Sequence, residues 1–320
     1  MNISIVIPNF NGRDLLLNNI PKILDAVKNY NGGSIELIIT DDSSKDGSIE
    51  AVESLLKRII SKNNTRIPYK VLKNFTGTNR GFSGNVNIGV KNSTGDIIIL
   101  LNSDVVPKVG FLEPLLSHFT NDSVFAVGCM DESIEDGKTV LRGRGIGKWE
   151  RGFLVHNAGK LDSERTLWVS GGSGAFRKSI WDKLGGLNEI YNPFYWEDID
   201  LSYRAQKAGY KVLFEKKSVV RHEHSKGAIK TFYKPFRVRK IVYRNQFLFT
   251  WLNLTDKMLL VKHFLWFPYH IANAIKNRDL AFFYGLVMAI FKIPKVLVYR
   301  SKTKSFWVKT DEEVTSNLIN

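Results

Sequence analysis

The stretch Gly95-Asp96-Ile97-Ile98-Ile99-Leu100-Leu101-Asn102-Ser103-Asp104 decides the fold. Its five consecutive branched apolar residues, Ile97 to Leu101, are opened by a Gly-Asp turn and closed by Asn-Ser-Asp. That pattern predicts a strand buried on both faces, which belongs to a parallel sheet covered by helices. In an open α/β sheet, ligands sit in the crevice outside the carboxyl ends of the strands. Asp104, preceded by Asn102 and Ser103, therefore arrives where a phosphate-bound divalent ion would be held. The other use of Asn, Ser and Asp at a strand end is to turn the chain before Pro107.

Outward from this strand the same unit repeats. Ile3 to Ile7 is an apolar run ended by Pro8; Asn9-Phe10-Asn11-Gly12 follows, then Leu15, Leu16, Leu17, Ile20, Ile23, Leu24 and Val27 at helical spacing. Ile35 to Ile39 ends in Thr40-Asp41-Asp42-Ser43-Ser44-Lys45-Asp46-Gly47 before a helical pattern from Ser48 to Ile60. Tyr69 to Leu72 is the third strand, with the loop Asn79-Arg80-Gly81-Phe82-Ser83-Gly84 and a short helix from Val86 to Val90 behind it. Strand and helix alternating at this rhythm predict a doubly wound α/β sheet whose loops crowd one edge. That edge is rich in carboxylates and lacks both GxxxxGK[ST] and a strand-proximal GxGxxG, so no glycine nest alone holds a phosphate there. Acids at strand ends suit a base or ribose contact (Asp41, with Asp42 beside it) and a metal bridge to a diphosphate (Asp104). Asp41 and Asp42 are equally suited to capping the helix that follows.

Val124 to Cys129 reads as a further strand, and the Gly-rich, basic, aromatic-spotted region from Thr139 to Val169 as an irregular or antiparallel excursion. In Ser170 to Arg177 the small residues, Gly172 among them, would let backbone come close to a bulky ligand. Asn192-Pro193-Phe194-Tyr195-Trp196 then runs into Glu197-Asp198-Ile199-Asp200-Leu201, an aromatic wall leading into an acidic helix start. Leu201 and Ala205 give that helix a buried stripe, and Asp198 lies in the first turn, where the helix dipole favours negative charge. A carboxylate partly desolvated by aromatics has a raised pKa and is a stronger base, the profile of a general base. Glu197 and Asp200, taken singly, read as ordinary acids of an N-terminal turn. Tyr210 to Phe214 and Val219 to Val220 predict two short strands leading to Arg221-His222-Glu223-His224. One imidazole of that pair could complete an octahedron begun by Asp104; packing histidines are the alternative.

At 320 residues and 43% apolar, the chain has room for one large domain or two ordinary ones. The single Cys129 excludes an intrachain disulfide, and the Met-Asn-Ile-Ser-Ile-Val-Ile-Pro start shows no basic n-region, which together suggest a reducing, cytoplasmic-side location. The net charge of +15 is concentrated late: from Lys226 onward there are 17 Lys and Arg against 5 Asp and Glu, leaving +3 for everything before. The same segment is helical in pattern and rich in Phe, Trp and Tyr. Its apolar run Leu280 to Phe291 stops at Lys292, short of the roughly 20 residues a membrane-spanning helix needs. Basic, aromatic amphipathic helices fit an anionic membrane interface. A bundle packed on the rest of the chain, or on a second subunit to give a homodimer through the C-terminal helices, is the alternative. A nucleic-acid partner is excluded by the acidic strand-end cluster, which would repel phosphate.

Five stretches then carry a resemblance: Ser-Ile-Val-Ile-Pro-Asn-Phe-Asn-Gly at the start, Thr-Asp-Asp-Ser-Ser-Lys-Asp-Gly-Ser, Asn-Arg-Gly-Phe-Ser-Gly-Asn-x-Asn, Leu-Leu-Asn-Ser-Asp and Trp-Glu-Asp-Ile-Asp-Leu-x-x-Arg. In this order the chain resembles the family 2 glycosyltransferases, in particular the rhamnosyltransferase-like branch of bacterial polysaccharide and O-antigen synthesis. The resemblance covers residues 1–228 and leaves 229–320 as a basic, aromatic-rich helical extension. It implies a GT-A fold (α/β, Rossmann-like, with a mostly parallel central sheet) and an inverting hexosyl transfer from a nucleotide-diphosphate sugar (dTDP- or UDP-linked, the branch suggesting rhamnose). It implies a Mg or Mn ion and a glycan or polyprenyl-diphosphate-linked acceptor at the cytoplasmic face of the membrane. By position, Asp41 resembles the nucleobase contact, and Asn79, Arg80, Gly81 and Phe82 resemble part of the donor pocket. Pro8, Asn9, Asn11, Asp42, Asn87, Asn102, Ser103 and Gly172 extend the donor side, and Phe194, Tyr195, Trp196 and Glu197 form the acceptor side. Asp104 resembles the last acid of a metal-binding DxD, written here as Asn-Ser-Asp with one carboxylate fewer. Asp198 resembles the catalytic base, and His222 or His224 the late metal-binding histidine. A nucleotidyltransferase would need the glycine-rich triphosphate loop that is missing here. A non-catalytic nucleotide-sugar-binding module would keep the donor pocket and dispense with Asp198.

Overall fold

The computed structural model describes residues 1–63, 67–74, 76–135, 137–222, 232–316 and 318. The first half is three strand–helix units and the deciding strand: β1 (Ile3–Asn9), α1 (Arg13–Val27), β2 (Ile35–Asp41), α2 (Ser48–Asn63), β3 (Tyr69–Lys73), α3 (Gly81–Lys91) and β4 (Ile97–Leu101). Every residue of β1, β2 and β4 is buried, as their unbroken apolar runs require of strands covered on both faces. These four strands pair in parallel in the order β3-β2-β1-β4. The register sets Asn9 beside Asp41, so the loops after β1 and β2 begin at the same height.

Beyond β4 the sheet is mixed. After β5 (Val105–Pro107), α4 (Leu112–Ser117), β6 (Val124–Glu135), β7 (Lys138–Arg142), β8 (Gly145–Glu150) and β9 (Phe153–Ala158), the chain returns as β10 (Ser173–Arg177). β10 inserts antiparallel between β4 and β6. Parallel pairing therefore runs through β3, β2, β1 and β4, breaks at β10 and returns between β6 and the strand Lys211–His222, and of Ser170–Arg177 the part Ser173–Arg177 is a central strand. Within that strand Gly174 answers to packing, since a Cβ on it would lie 2.2 Å from Val169 Cγ1, while Ser170, Gly171 and Gly172 just before it line a cleft. β8 and β9 form a separate antiparallel hairpin, the excursion expected between residues 139 and 169. Then follow α5 (Lys178–Leu184), α6 (Glu197–Lys207) and β11 (Lys211–His222), one strand where two were expected, with a register shift between Glu215 and Val219.

The C-terminal helices are α7 (Pro235–Asn253), α8 (Lys257–Leu265), α9 (Phe267–Lys276), α10 (Leu280–Ile290), α11 (Ile293–Thr303) and α12 (Asp311–Ser316). They pack on the rest of the chain through a second core, in which Leu154, Trp196, Ile199 and Tyr203 meet Phe247, Phe249, Leu252 and Phe282. α10 crosses α7 closely enough that a Cβ on Gly285 would lie 2.6 Å from Tyr243 Cβ. Residue 228 is thus a boundary in composition, while the core runs across it.

Candidate active site

The carboxyl ends of β1 and β4, the start of β10, the turn before α6 and the end of β11 surround one cleft of about 390 Å³. Pro8, Asn9, Asp42, Asn79, Gly81, Phe82, Asn102, Ser103, Asp104, Gly172, Phe194, Tyr195, Glu197, Asp198 and His222 all line it, so acids far apart in the chain converge here.

Asp42 builds the floor. Its carboxylate accepts the backbone N–H groups of Arg80 (2.8 Å) and Gly81 (2.9 Å) and the Asn74 side-chain amide (2.9 Å). It therefore caps α3, two elements further on, and not the helix that follows it. Asp41 is not a lining residue. Its two oxygens take the Asn9 amide (2.8 Å) and the Ser44 N–H (2.9 Å), which fixes the loop edge under the cleft. Asn11 serves the same loop, accepting from Lys45 N–H (2.8 Å). Asn85 ties it together by donating to the carbonyls of Asn9 and Thr40 (3.2 and 3.1 Å).

Gly172 accommodates a neighbouring side chain: a Cβ there would lie 2.3 Å from Asn102 Nδ2. Arg80 contributes backbone and points its side chain to solvent. Asn87 is turned away, exchanging hydrogen bonds with the backbone of Leu187 (2.8 and 3.0 Å). Trp196 is also turned away, into the second core, where it meets His156 and Phe249 with ring centroids 5.0 Å apart in each case. The reversal has a backbone cause, since Tyr195 and Trp196 have φ of 70° and 78° and throw their side chains to opposite sides. Phe194 and Tyr195 are the aromatics left facing the cleft.

At the start of α6 three acids occupy three environments. Asp200 is fully buried and paired to Arg204 (2.7 Å), with Tyr191 and Asn253 donating to it. Asp198 is half-buried and lines the cleft, accepting from Ile199 N–H (2.8 Å) and Gly171 N–H (3.4 Å), and burial raises its pKa. Glu197 is 6% exposed, and its Oε2 has no hydrogen-bond partner among the described residues. Burial, and after it the charge of Asp198, push its carboxyl up to about 8.

A family model, glycosyl transferase family 2, matches residues 4–185. The chain belongs to that family. A second model, glycosyl transferase family group 2, matches residues 97–299 and so reaches into the C-terminal helices. This family 2 glycosyltransferase is 26% identical to the O-antigen chain rhamnosyltransferase RfbN of Salmonella typhimurium, over 70% of this chain and 67% of that one. It is 26% identical to the GalNAc(5)-diNAcBac-PP-undecaprenol beta-1,3-glucosyltransferase of Campylobacter jejuni, over 46% of this chain and 44% of that one. A Mycobacterium tuberculosis relative, the pre-mycofactocin glycosyltransferase, is spanned over only 29% of its length. S. aureus TarS 1-349 in complex with UDP-GlcNAc superposes with a TM-score of 0.57 at 13% identity, covering 98% of this chain and 83% of that one. GalNAc-T7 with UDP, GalNAc and Mn2+ superposes with a TM-score of 0.57 at 19% identity, covering 87% and 58%. The fold of this glycosyltransferase is GT-A, as expected.

The sheet also sets side by side residues that could hold a divalent ion. β11 pairs antiparallel with β5, setting His222 opposite Val105 and so beside Asp104, while Asp131 enters from β6. His222 Nε2 lies 3.2 Å from Asp104 Oδ2, and Nδ1 lies 3.0 Å from Asp131 Oδ2. A carboxylate behind the imidazole fixes its tautomer and orientation, as behind metal-binding histidines generally. Burial would lower the His222 pKa, but the carboxylates of Asp104 and Asp131 outweigh it and raise it to about 9, so an ion would have to displace a proton. Among the described residues no three His, Cys, Asp or Glu form a metal cage. Two protein ligands with the rest supplied by phosphate and water suit Mg or Mn. His224 lies outside the described residues.

Two residues at or behind the cleft carry no signal in the sequence. Tyr233, from the segment before α7, lines the cleft and meets the ring of Phe194 with centroids 4.7 Å apart. Asp131 sits within β6, just past the apolar run that marked it, and only an acid following that run could have flagged it.

Proposed function

We propose that the protein is an inverting glycosyltransferase moving a sugar from a dTDP- or UDP-sugar to a hydroxyl of a glycan acceptor carried on a polyprenyl diphosphate, in cell-surface polysaccharide synthesis. The observation that carries this is that Asp198 and the Asp104–His222 pair open onto the same cleft. Glycosyl transfer passes through an oxocarbenium-like transition state, with bond formation on one face of the anomeric carbon and departure of the diphosphate on the other. Asp198 accepts the acceptor hydroxyl proton as the new glycosidic bond forms, its basicity raised by burial. Phe194 and Tyr195 hold the acceptor at that face, and neutral Glu197 offers it a proton-bearing oxygen. Asn9, Asp42, Asn79 and Phe82 hold the nucleotide end, with Asp41 acting from beneath through Asn9. Asp104 and His222 would hold a divalent ion, Mg or Mn, which when bound supplies positive charge for the departing diphosphate.

The rhamnosyltransferase RfbN suggests rhamnose as the sugar, and the Campylobacter glucosyltransferase suggests an undecaprenyl-diphosphate acceptor. Such an acceptor gives the basic C-terminal helices a purpose at the cytoplasmic face of the membrane.

The test is a transfer assay over UDP-, dTDP- and GDP-sugars with and without Mn, run on the full chain and on Asp198→Asn. The wild type should turn over one donor class. The variant should lose about 10²- to 10⁴-fold in rate while its affinity for the nucleotide product stays the same. No turnover from any donor by the wild type, or near-normal turnover by the variant, overturns the reading.

A further inference from the structure

We infer that Arg244 and Asn245 of α7 are positioning residues for the acceptor, so that the helical C-terminal region forms part of the catalytic apparatus. The inference rests on the transferase reading above and extends it to residues no motif covers. The acceptor side of the cleft is the turn from Tyr191 to Trp196, which enters α6 through two consecutive left-handed residues, Tyr195 and Trp196. For bulky aromatic residues that backbone is costly and persists only where the surroundings over-determine it.

α7 provides the restraint. Asn245 is fully buried, and its Nδ2 faces three carbonyls of the turn, those of Tyr191 (2.9 Å), Phe194 (2.9 Å) and Tyr195 (2.8 Å). Arg244 Nη2 donates to Tyr191 O (2.8 Å) and Asn192 O (2.6 Å), and its Nε donates to Asn245 Oδ1 (2.9 Å). That last bond turns the Asn245 amide so that its N–H groups meet the turn. Lys292, just before α11, adds a bond to Ile190 O (2.8 Å). The turn's carbonyls are thus gathered by cations and an amide from outside the strand-end loops. What this fixes is the aim of Tyr195 into the cleft and the start of α6, whose first residues are Glu197 and Asp198. The donor-side hydrogen bonds of Asp42 and Asn9 are made within the strand-end loops and not to α7, and the turn touches the donor side where Phe82 N–H donates to Pro193 O (3.0 Å) and Asn192 Nδ2 to Arg80 O.

The experiment is a double-mutant cycle on the full chain, combining Asn245→Ala with Tyr195→Gly. Glycine adopts the left-handed conformation unaided. If the clamp serves to hold that backbone, Asn245→Ala should cost much less in the Tyr195→Gly background than in the wild type. In the wild type, Asn245→Ala should lower transfer to acceptor by about 100-fold, as a misplacement near 1 Å does. Binding of UDP with Mn, read by calorimetry, should change by less than about twofold in the same variant. If Asn245→Ala does not fold, Arg244→Lys is read in the same way, since lysine keeps the charge but cannot reach both carbonyls and Asn245 together. Equal losses in both backgrounds, or UDP affinity falling in step with transfer, overturn the inference. A wild type that transfers no sugar at all would instead refute the function on which it rests.

Discussion

Glu197, Asp198 and Asp200 sit within four positions, and the differences between them come from surroundings that the letters do not state. Asp200 has a counter-ion, Asp198 has two backbone donors and a view of the cleft, and Glu197 has a buried oxygen with no partner among the described residues. Because the Glu197 carboxyl is raised from about 4.5 to about 8, the native state holds a proton that the unfolded chain has released across that window. The stability it contributes is therefore full below about pH 4.5 and is lost as pH rises through about 8. Glu197→Gln, neutral at every pH, should gain melting temperature relative to the wild type as pH goes from about 5 to about 8, by the equivalent of up to about 1.4 kcal/mol per pH unit. Thermal unfolding of the two proteins across that range checks this; a difference that stays flat means Glu197 titrates as an ordinary surface acid. The run of aromatics before the helix singles out Asp198 in the sequence, and Asp198 does line the cleft with Phe194 and Tyr195. It treated Glu197 and Asp200 alike because burial at a helix start depends on what packs over it, here Tyr191 and α7.

At the scale of elements, period and composition made β1 to β4 and their helices legible, because strands buried on both faces announce themselves as unbroken apolar runs. β10 was hidden because its place between β4 and β6 calls for small residues, which resemble a loop. The left-handed turn before α6 was hidden because no glycine or asparagine marks Tyr195 and Trp196. α6 itself is held from below by a buried polar network. Asp200 takes the Arg204 guanidinium (2.7 Å), the Tyr191 hydroxyl (2.9 Å) and the Asn253 amide (2.7 Å), while Arg204 also donates to the carbonyls of Leu184 and Gly186. Removing one partner of a buried ion pair leaves the other charge uncompensated. Asp200→Ala should therefore cost about 3–5 kcal/mol in denaturant unfolding, and Asp200→Asn, which keeps acceptor capacity, distinctly less. A loss under about 1 kcal/mol for the alanine variant would mean that α6 is held by its apolar face alone.

Across the whole molecule, the C-terminal helices have two faces. One closes the second core and grips the turn before α6; the other leaves large apolar side chains in solvent, among them Phe264 (63% exposed), Leu265 (72%), Phe291 (81%) and Leu297 (62%). Among the described residues no single helix is long and apolar enough to cross a membrane, and the pair Leu280–Ile290 and Ile293–Phe306 reaches that length only with a 61° bend. Short helices with apolar residues outward, interspersed with Lys257, Lys262, Lys276, Lys295 and Lys302, suit a position in the headgroup layer, where each cation near an anionic surface contributes about 1 kcal/mol. Electrostatic attraction of this kind weakens with salt, while buried aromatic and aliphatic side chains do not release as readily. Flotation of the full chain with phosphatidylglycerol-containing vesicles should therefore recover it with the lipid at low salt and lose part of it at high salt. Phe264→Ser, Leu265→Ser and Phe291→Ser combined should abolish recovery at both salt concentrations without moving the melting temperature, because these side chains lie outside both cores. A wild type left wholly in the unbound fraction at low salt would instead assign this face to a second subunit, and sedimentation of the same sample as a dimer would identify it.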